Sequence, residues 1–343
     1  MWNKEKESQK IKNLINYSGE FEGKTILLIG SNGFLGRWFY DFFSSLKCDL
    51  ICMDNDIAPN DKSTTYIKKD ICESFVEILP RYRYNIDYII NCAGIASPEK
   101  YLKLPVQTLD VSYTGTRNVL ELARLHEVSA IMLFSSSEIY GTPEDLFVPT
   151  PETYTGRIPT NSNRSCYDVG KLVLETLANV YYRKYNLPIK IVRPFNLYGP
   201  YMGIKDNRVL SNFMKCYFEN IPAKVYGSGL QTRTYCYAGD GIAAMLKILL
   251  EGASGETYNI GKDSPEINVY ELAEVFFESL DSEKNIDVIE YPEDYPSDEP
   301  FRRCPDTSRL KKEFNMELQT ELTEGLRIMR SFFENNCDFG ENK

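Results

Sequence analysis

A tyrosine and a lysine four residues apart, Tyr167 and Lys171, are spaced for proton-transfer chemistry. They open a leucine-rich segment at 163–182, and positions four apart on a helix lie one above the other on the same face. A phenol beside an ammonium group can act as a general base, because the positive charge favours the phenolate. Spacing alone does not separate catalysis from coincidence, since Tyr201 and Lys205 repeat it in a chain with 24 tyrosines.

The chain has one histidine, His126, which narrows the other routes to catalysis. A single histidine argues against a His-based triad and makes a multi-histidine zinc site impossible. We expect His126 to be a partly exposed helix residue, and we expect no metal site. Proton chemistry must then fall to Tyr, Lys, Glu, Asp or Cys.

Charge and cysteine usage exclude several classes of protein. The 343 residues include 39 Lys and Arg against 49 Asp and Glu, a net charge of −10, whereas a nucleic-acid-binding protein would show a basic face. The nine cysteines form no CxxC pair, and the charged N-terminus lacks the apolar core of a signal peptide. No apolar run approaches the length of a membrane span. We therefore expect a cytoplasmic protein with reduced thiols that binds neither nucleic acid nor membrane.

Apolar runs that alternate with helical patterns predict an α/β fold with a Rossmann-type, doubly wound parallel sheet. Strands are expected at 24–30, 49–54, 66–70, 86–94, 129–137 and 189–195. Helices are expected at 37–46, 71–83, 106–126, 165–186, 241–251 and 269–280. Tyr167 then opens a long helix beside the carboxyl ends of the strands, where ligands bind in such sheets. Tyr201 lies in a loop bounded by glycine and proline, so the pair at Tyr167 is the stronger candidate.

The first expected strand ends in a glycine-rich turn, GSNGFLG (30–36), which opens a helix. Glycines there permit a tight turn and close approach of a pyrophosphate, and the helix N-terminus offers free N–H groups. Asp54 ends the second strand, at the distance where its carboxylate can accept hydrogen bonds from an adenosine ribose. No basic residue follows it to hold a 2′-phosphate, which favours NAD, although Arg37 beside the turn leaves NADP open. A purely structural glycine turn is the remaining alternative.

Four motifs occur in an order that resembles a known family: GSNGFLG, NCAG (91–94), SSSEIYG (135–141) and YDVGK (167–171). In this order they resemble the extended short-chain dehydrogenases/reductases, the sugar-nucleotide epimerase/dehydratase family. The resemblance runs from about Lys24 to the final helix. Five further stretches resemble one group within that family, the UDP-glucuronate decarboxylases (UDP-xylose synthases). They are ASPEKY (96–101), RPFNLYGPYM (193–202), RVLSNF (208–213), VYGSGLQTR (225–233) and RRCPD (302–306).

The resemblance implies NAD as cofactor and a redox-neutral decarboxylation of a nucleotide-linked uronic acid. Tyr167 would take the proton of the sugar 4-hydroxyl, Lys171 would lower the pKa of that tyrosine, and NAD would take the C4 hydride. The resulting 4-keto sugar is a β-keto acid, which loses carbon dioxide before the hydride returns. Ser136 matches a threonine that hydrogen-bonds the C4 oxygen, Glu138 matches a glutamate near C5, and Arg233 matches an arginine implicated in decarboxylation.

The resemblance also implies the binding residues. Cofactor contacts are expected from Gly30, Asn32, Gly33, Phe34, Leu35, Gly36, Asp54, Asn55, Asp70, Ile71, Cys92, Ala93 and Gly94, together with Tyr167 and Lys171. A nucleotide sugar, most simply a UDP-sugar, is expected to contact Arg164, Asn196, Arg208, Asn212, Tyr226, Arg233 and Arg303. Arginine suits a diphosphate because its planar fork donates paired hydrogen bonds.

Taken singly, three of these residues have simpler explanations. Glu138 is equally well an exposed acid in a turn, Arg233 a phosphate clamp or a surface charge, and Tyr226 a core residue. Their family order favours the functional interpretation of the first two. Two positions depart from the family pattern: PTNSNR (159–164) replaces a sequence like NPIGPR near the expected sugar site, and Ser112 replaces an asparagine where a change would affect proton relay or helix hydration.

These departures leave other activities open. A 4,6-dehydratase or a 4-epimerase would use the same 4-keto chemistry, and a dehydratase with glutamate at this position fits the Ser-Ser-Glu order. A catalytically silent NAD-binding scaffold is a third possibility, against which Tyr167, Lys171 and Glu138 argue. The helices at 106–126 and 165–186 carry apolar residues on more than one face, and the resemblance implies that they pair across a two-fold axis in a homodimer.

The organisation along the chain follows from the change of composition after residue 195, where Tyr, Asn, Gly and Arg become frequent. We expect a lead-in at 1–20 and an NAD-binding Rossmann domain at 21–195, to which 236–262 return. A smaller C-terminal substrate-binding portion is expected from 196–235 and 263–335.

Overall fold

A computed structural model describes residues 1–56, 64–75, 77–80, 84–204, 206–291 and 300–336. The strands are β1 (Thr25–Ile29), β2 (Asp49–Asp54), β3 (Thr65–Lys68), β4 (Tyr88–Asn91), β5 (Ala130–Phe134), β6 (Ile189–Pro194), β7 (Leu197–Tyr198), β8 (Ala223–Tyr226), β9 (Thr232–Arg233), β10 (Cys236–Tyr237), β11 (Glu256–Ile260), β12 (Ile267–Asn268), β13 (Ile286–Ile289) and β14 (Arg302–Arg303). The α-helices are α1 (Lys4–Ile15), α2 (Phe34–Ser44), α3 (Pro98–Lys103), α4 (Pro105–Asp110), α5 (Thr116–His126), α6 (Ser165–Tyr185), α7 (Val209–Glu219), α8 (Ala238–Glu251), α9 (Val269–Ser279), α10 (Ser308–Phe314) and α11 (Leu322–Asn336).

The large sheet is parallel throughout, in the order β11-β6-β5-β4-β1-β2-β3 among the described strands. The strand order changes direction between β1 and β4, whose registers pair Ile29 with Asn91. A crevice opens at the carboxyl ends of the strands at such a point. The predicted Rossmann-type sheet is therefore confirmed, and its site-forming edge is the one that follows β1, β4, β5 and β6.

The core lies on both faces of this sheet. Alternate residues of β1 point to opposite faces, so that Ile26 and Leu28 pack in one apolar cluster and Leu27 and Ile29 in the other. Helices α2 and α8 cover the first face, and α5 and α6 cover the second. Strands buried on both faces explain the continuous apolar runs of the sequence.

Three small sheets form the loop-rich C-terminal part: β10 with β7, β13 with β8, and β12-β9-β14. In the last of these, β14 runs parallel to β9 and pairs Arg303 with Arg233. The predicted helices in this region are present as α8 and α9. Lys205, Cys337 and most of the acidic, proline-rich stretch 290–300 lie outside the described residues.

The helix expected at 71–83 is wrong for the described part of that range, where residues 71–75 and 77–80 form turns and loop. The Asp70 carboxylate accepts the Cys72 N–H at 2.8 Å, and the Asn118 side chain binds the carbonyls of Ile71 and Glu73 at 2.9 and 3.2 Å. These side-chain bonds satisfy backbone groups that a helix would otherwise pair.

The helix expected at 106–126 is divided. A π-helical turn, Val111–Gly115, separates α4 from α5, and the Ser112 hydroxyl donates to the Thr108 carbonyl at 2.8 Å. The exposed position expected for His126 is also wrong, because only 2% of this residue is exposed. Its Nε2 lies 2.7 Å from the Leu79 carbonyl, so the imidazole ties the end of α5 to the turns before β4.

The expected lead-in contains α1, an amphipathic helix whose Ile11 and Ile15 are buried in the core cluster beside α8. Asn3 caps its first turn by accepting the Lys6 N–H at 2.8 Å. Nowhere in the described ranges is there a helix with the length and apolar character that crossing a bilayer requires.

Candidate active site

A cavity of about 1020 Å³ lies between the carboxyl edge of the sheet and the C-terminal part. All eleven predicted catalytic and substrate-binding residues line this cavity: Ser136, Glu138, Arg164, Tyr167, Lys171, Asn196, Arg208, Asn212, Tyr226, Arg233 and Arg303. Of the expected cofactor residues, the lining includes Gly33, Phe34, Leu35, Gly36, Cys92 and Gly94.

These eleven side chains come from the segments that follow β5 and β6, from the start of α6 and the residue before it, and from the C-terminal part. Cations outnumber acids around the cavity: Lys103, Arg164, Lys171, Arg208, Lys215, Lys224, Arg233 and Arg303 line it, with Glu99 and Glu138. This local excess of positive charge in a chain of net charge −10 suits an anionic ligand.

The glycine turn after β1 has the close packing that its sequence predicts. Gly30 adopts a φ of +77°, and a Cβ at this position would lie 2.6 Å from the Ala93 nitrogen. A Cβ on Gly36 would lie 2.0 Å from the Gly30 carbonyl oxygen. The turn therefore accepts only glycine at these two positions, and it leads directly into the N-terminus of α2, where N–H groups can bind phosphate.

Asp54 at the end of β2 lies beside this turn and accepts the Asn32 N–H at 2.9 Å. The Arg37 guanidinium, which could have held a 2′-phosphate, instead lies 5.2 Å from the centre of the Tyr40 ring and 5.5 Å from that of Tyr201. The arrangement fits a dinucleotide that has a free ribose, because a carboxylate is next to the turn and the nearby cation is stacked on aromatic rings.

The other expected cofactor residues are not among those that line the cavity. Gly30, Asn32 and Ala93 belong to the turn and its contacts, while Asp54 ends β2 and Asn55 follows it. Asp70 and Ile71 follow β3, and the Ile71 side chain packs against Gly115 of the π-helical turn.

Tyr167 lies in the first turn of α6 with its phenol in the cavity and only 8% of the residue exposed. Burial raises the pKa of Tyr167 to about 12, while a hydrogen bond with Ser136 opposes this and the charge of Glu138 adds to it. Deprotonation of this phenol near neutral pH therefore requires added positive charge.

Lys171 lies one turn further along α6, and its Nζ is 5.6 Å from the centre of the Tyr167 ring. The ammonium donates to the Phe134 carbonyl at 2.7 Å, which anchors α6 to the end of β5. Burial lowers the pKa of Lys171 to about 8, so the group is charged below that pH and loses its charge above it. The helix and the strand end together fix the predicted Tyr–Lys pair in one place.

Tyr201 lies outside the cavity lining. Its hydroxyl donates to the Asp41 carboxylate on α2, and its ring contacts Trp2, Trp38 and Phe332 at centroid distances of 5.7, 6.3 and 4.9 Å. The structure therefore places the two tyrosines with the same spacing in different surroundings.

Glu138 lies between two arginines. Its carboxylate pairs with the Arg164 guanidinium, and Arg303 reaches both of its oxygens, at 3.0 and 3.2 Å. The side chains of Arg164 and Arg303 are 9% and 5% exposed. Burial lowers the pKa of Arg303, and the charge of Glu138 opposes that shift. Glu138 is therefore a paired acid inside the cavity and not an exposed acid in a turn.

Arg233 is held differently from Arg303, although the two are neighbours in the β9–β14 pair. Its guanidinium donates to the carbonyls of Thr232, Pro300 and Phe301 at 2.9, 2.6 and 2.9 Å. The geometry therefore joins Arg303, more directly than Arg233, to the carboxylate of Glu138.

The remaining substrate candidates also line the cavity. The Asn196 amide donates to the Thr234 carbonyl at 3.0 Å, and the Asn212 amide donates to that of Asn207 at 2.9 Å. Arg208, which precedes α7, makes a two-point ion pair with Asp206. The ring of Tyr226 stacks on that of Tyr291 with 22° between their planes and 6.4 Å between their centroids.

Tyr101 is a cavity residue that sequence reasoning missed. Its ring stacks on Tyr167 at a centroid distance of 5.2 Å and an angle of 17°. Tyr101 is the last residue of the motif ASPEKY (96–101), so the resemblance could have identified it. Its residue type and sequence position alone did not suggest a chemical role. In the described part of the chain, no group of three or more His, Cys, Asp or Glu side chains could hold a metal ion.

Comparison with known proteins finds relatives whose sequences match this one over most of its length. The model of the NAD dependent epimerase/dehydratase family matches residues 26–261. UDP-glucuronic acid decarboxylase 5 of Arabidopsis thaliana is 36% identical over 315 residues, which cover 90% of this chain and 89% of that protein. UDP-glucuronic acid decarboxylase 1 of Danio rerio is 30% identical over 338 residues, with coverage of 96% and 77%.

Solved structures share the fold. The UDP-glucose 4-epimerase of Thermotoga maritima, with UDP-glucose, has a TM-score of 0.81 at 22% identity and covers 91% of this chain and 99% of its own. The dTDP-glucose 4,6-dehydratase of Bacillus anthracis, in complex with NAD, has a TM-score of 0.75 at 22% identity, with coverage of 92% and 98%. At this level of identity the likeness concerns the fold alone.

Proposed function

This chain belongs to the NAD dependent epimerase/dehydratase family, and we propose that it decarboxylates a nucleotide-linked uronic acid, UDP-glucuronate to UDP-xylose, with NAD as its cofactor. The observation that carries the proposal is the position of Glu138 between two arginines in the cavity that holds Tyr167 and Lys171. The names of relatives 30–36% identical over most of the chain support the choice of reaction.

Proton transfer at C4 of the sugar is the role proposed for Tyr167. Its phenolate takes the proton of the 4-hydroxyl and returns it at the end, and Ser136 hydrogen-bonds the C4 oxygen. Bound NAD would supply a hydride acceptor at C4, return the same hydride, and contribute positive charge near the phenol. Lys171 adds a second positive charge, which favours the phenolate that burial alone disfavours.

The step after oxidation is proposed for the cluster of Glu138, Arg164 and Arg303. When the carboxylate on C5 leaves as carbon dioxide, the electron pair of the broken bond between C5 and the carboxylate carbon moves towards the C4 carbonyl and forms an enolate. A proton must then be delivered to C5, and the cluster supplies ionisable side chains in the same cavity that Tyr167 lines. We assign the decarboxylation step to Arg303, which contacts Glu138. We assign Arg233 to the phosphate end of the substrate.

A panel of nucleotide sugars tests this function. The purified protein is incubated with UDP-glucuronate, UDP-glucose, UDP-N-acetylglucosamine and dTDP-glucose, and the products are weighed by mass spectrometry. We expect loss of one carbon dioxide from UDP-glucuronate without net accumulation of NADH. Loss of water from a neutral hexose would indicate a 4,6-dehydratase, and an isomer of unchanged mass would indicate a 4-epimerase.

The proposed division of the chain follows the same chemistry. Residues 21–195 with 236–262 hold the cofactor, and residues 196–235 with 263–335 hold the nucleotide sugar. A reducing cytoplasmic location is proposed from the cysteines, since those in the described residues are not joined by disulfide bonds. A nucleotide-linked pentose would serve polysaccharide biosynthesis.

A homodimer is proposed from an exposed apolar stripe. Val106, Leu109 and Tyr113 recur at helical spacing on α4 and the π-helical turn, and are 64%, 41% and 47% exposed. Because α4 lies against α6, the stripe and α6 form a continuous surface suited to two-fold pairing.

Light scattering at micromolar concentration measures the assembly. We expect about twice the 39.5 kDa chain mass for the wild type and the monomer mass for Val106→Glu combined with Tyr113→Glu. Leu146→Glu is the matched control, since Leu146 is 86% exposed away from the stripe and its variant should remain a dimer. A monomeric wild type would refute the assembly.

A further inference from the structure

Arg193 on β6 joins the two elements that carry the candidate catalytic side chains. The residue is 8% exposed, and its guanidinium donates from Nε and Nη2 to the two carboxylate oxygens of Glu175 at 2.8 and 2.7 Å. Its Nη1 donates to the Tyr140 hydroxyl at 2.7 Å and to the Glu152 carbonyl at 2.9 Å. One buried side chain therefore binds three separate segments.

The first segment is α6. Glu175 lies one turn after Lys171 and two turns after Tyr167, so the three side chains share one face of the helix. A two-point ion pair at Glu175 fixes both the rotation and the axial position of this face. The hydrogen bond from Lys171 to the end of β5 fixes the same face one turn earlier.

The second segment is the short 3-10 helix Ser137–Tyr140, which contains Glu138. Tyr140 is 1% exposed, and the Arg193 guanidinium lies 4.9 Å from the centre of its ring. The Tyr140 hydroxyl also donates to the Asn259 side chain on β11 at 2.7 Å. Glu138 lies two residues before Tyr140 in this helix, so its position depends on the same guanidinium that holds α6.

Stability alone does not account for such a pair. Two charges buried in a protein lose their hydration, and apolar residues of similar volume usually stabilise a core as well or better. We propose that Arg193 is a positioning residue that holds the Tyr167–Lys171 face of α6 and the turn carrying Glu138 in the arrangement required for the successive steps. This inference rests on the proposed function.

The double variant Arg193→Met with Glu175→Met tests it, because both charges are removed and neither is left buried alone. We expect a folded protein whose Tm is equal to or above that of the wild type, with unchanged NAD affinity and KM. The kcat should fall by about 10²-fold, the loss typical of a small displacement of catalytic groups. Lys190→Met is the control: Lys190 is a buried cation on the same strand, bonded to Ser254, and its variant should keep the wild-type kcat.

Wild-type kcat in a folded double variant would overturn the proposal. Should the double variant not fold, Tyr140→Phe decides, because it removes the hydrogen bonds of the Tyr140 hydroxyl to Arg193 and Asn259 and leaves the ion pair between Arg193 and Glu175 in place. We expect this variant to slow carbon dioxide release more than the first hydride transfer, so that NADH accumulates transiently. Equal slowing of both steps, or of neither, would overturn the positioning role.

The failure of the proposed function is distinguishable from failure of this inference. If wild-type protein releases no carbon dioxide from UDP-glucuronate, the proposed function fails, whatever the variants do. The double variant can then be measured with the nucleotide sugar that the wild type does oxidise, by transient NADH formation. An unchanged rate in that assay would still overturn the role of Arg193.

Discussion

Tyr167→Phe is expected to lower kcat by about 10²–10⁴-fold, because it deletes only the hydroxyl that takes the C4 proton. The phenyl ring keeps its stacking on Tyr101, so the cavity should keep its shape. NAD binding should therefore change little. Steady-state turnover gives the kcat, and calorimetric titration with NAD gives the affinity.

Tyr201→Phe is the matched control, since Tyr201 has the same spacing to a lysine but lies outside the cavity lining. Its hydroxyl donates to the partly buried Asp41, so removal should cost about 1–3 kcal/mol of stability and leave kcat unchanged. Equal loss of turnover in the two variants would show that the proton-transfer pair was wrongly assigned.

Arg303→Met is expected to slow carbon dioxide release by about 10²–10³-fold, as for the loss of a preorganised charged group in an active site. The first hydride transfer should be slowed much less, because Tyr167 and Lys171 keep their contacts with Ser136 and the end of β5. NADH should therefore accumulate in a single turnover. Stopped-flow absorbance of NADH and trapping of carbon dioxide separate the two rates.

Arg233→Met is the comparison for this prediction, since Arg233 is the paired neighbour of Arg303 but donates to backbone carbonyls. We expect it to raise KM for the nucleotide sugar and to leave the ratio of the two rates near that of the wild type. A larger effect on carbon dioxide release from Arg233→Met than from Arg303→Met would reverse the assignment of the two arginines.

The sheet was predictable because its strands are local features. Residues buried on both faces give continuous apolar runs, and each of the six predicted strands overlaps a strand of the large sheet. Strand β11 was not among the predicted strands, and it forms the edge of the sheet next to β6. The glycine turn was predictable for the same reason, since its backbone geometry allows only glycine at Gly30 and Gly36.

The errors arise where distant residues decide the local structure. The apolar spacing at 71–83 resembles a helix because Phe75 and Leu79 are buried, but Asp70 and Asn118 bind the backbone there. His126 was expected to be partly exposed because its carbonyl partner, Leu79, lies 47 positions earlier.

The candidate site shows the same limit. Sequence order brought Arg233 and Arg303 to one site but could not say which of them meets Glu138, because the β9–β14 pairing joins segments 70 residues apart. Motif order could suggest which residues gather in one cavity. Only the fold shows that Arg193 links α6 with the turn of Glu138.

The central claim is oxidation at C4 followed by loss of the C5 carboxylate and return of the same hydride. Its most direct test is UDP-glucuronate labelled with deuterium at C4, incubated with the purified protein and NAD, with the product analysed by mass spectrometry and NMR. We expect the product to be a nucleotide-linked pentose, lighter than the substrate by one carbon dioxide, that retains the deuterium at C4. We expect no net formation of NADH. Recovery of the label in a C4 epimer that still carries its carboxylate, or loss of the label to solvent, would contradict this mechanism.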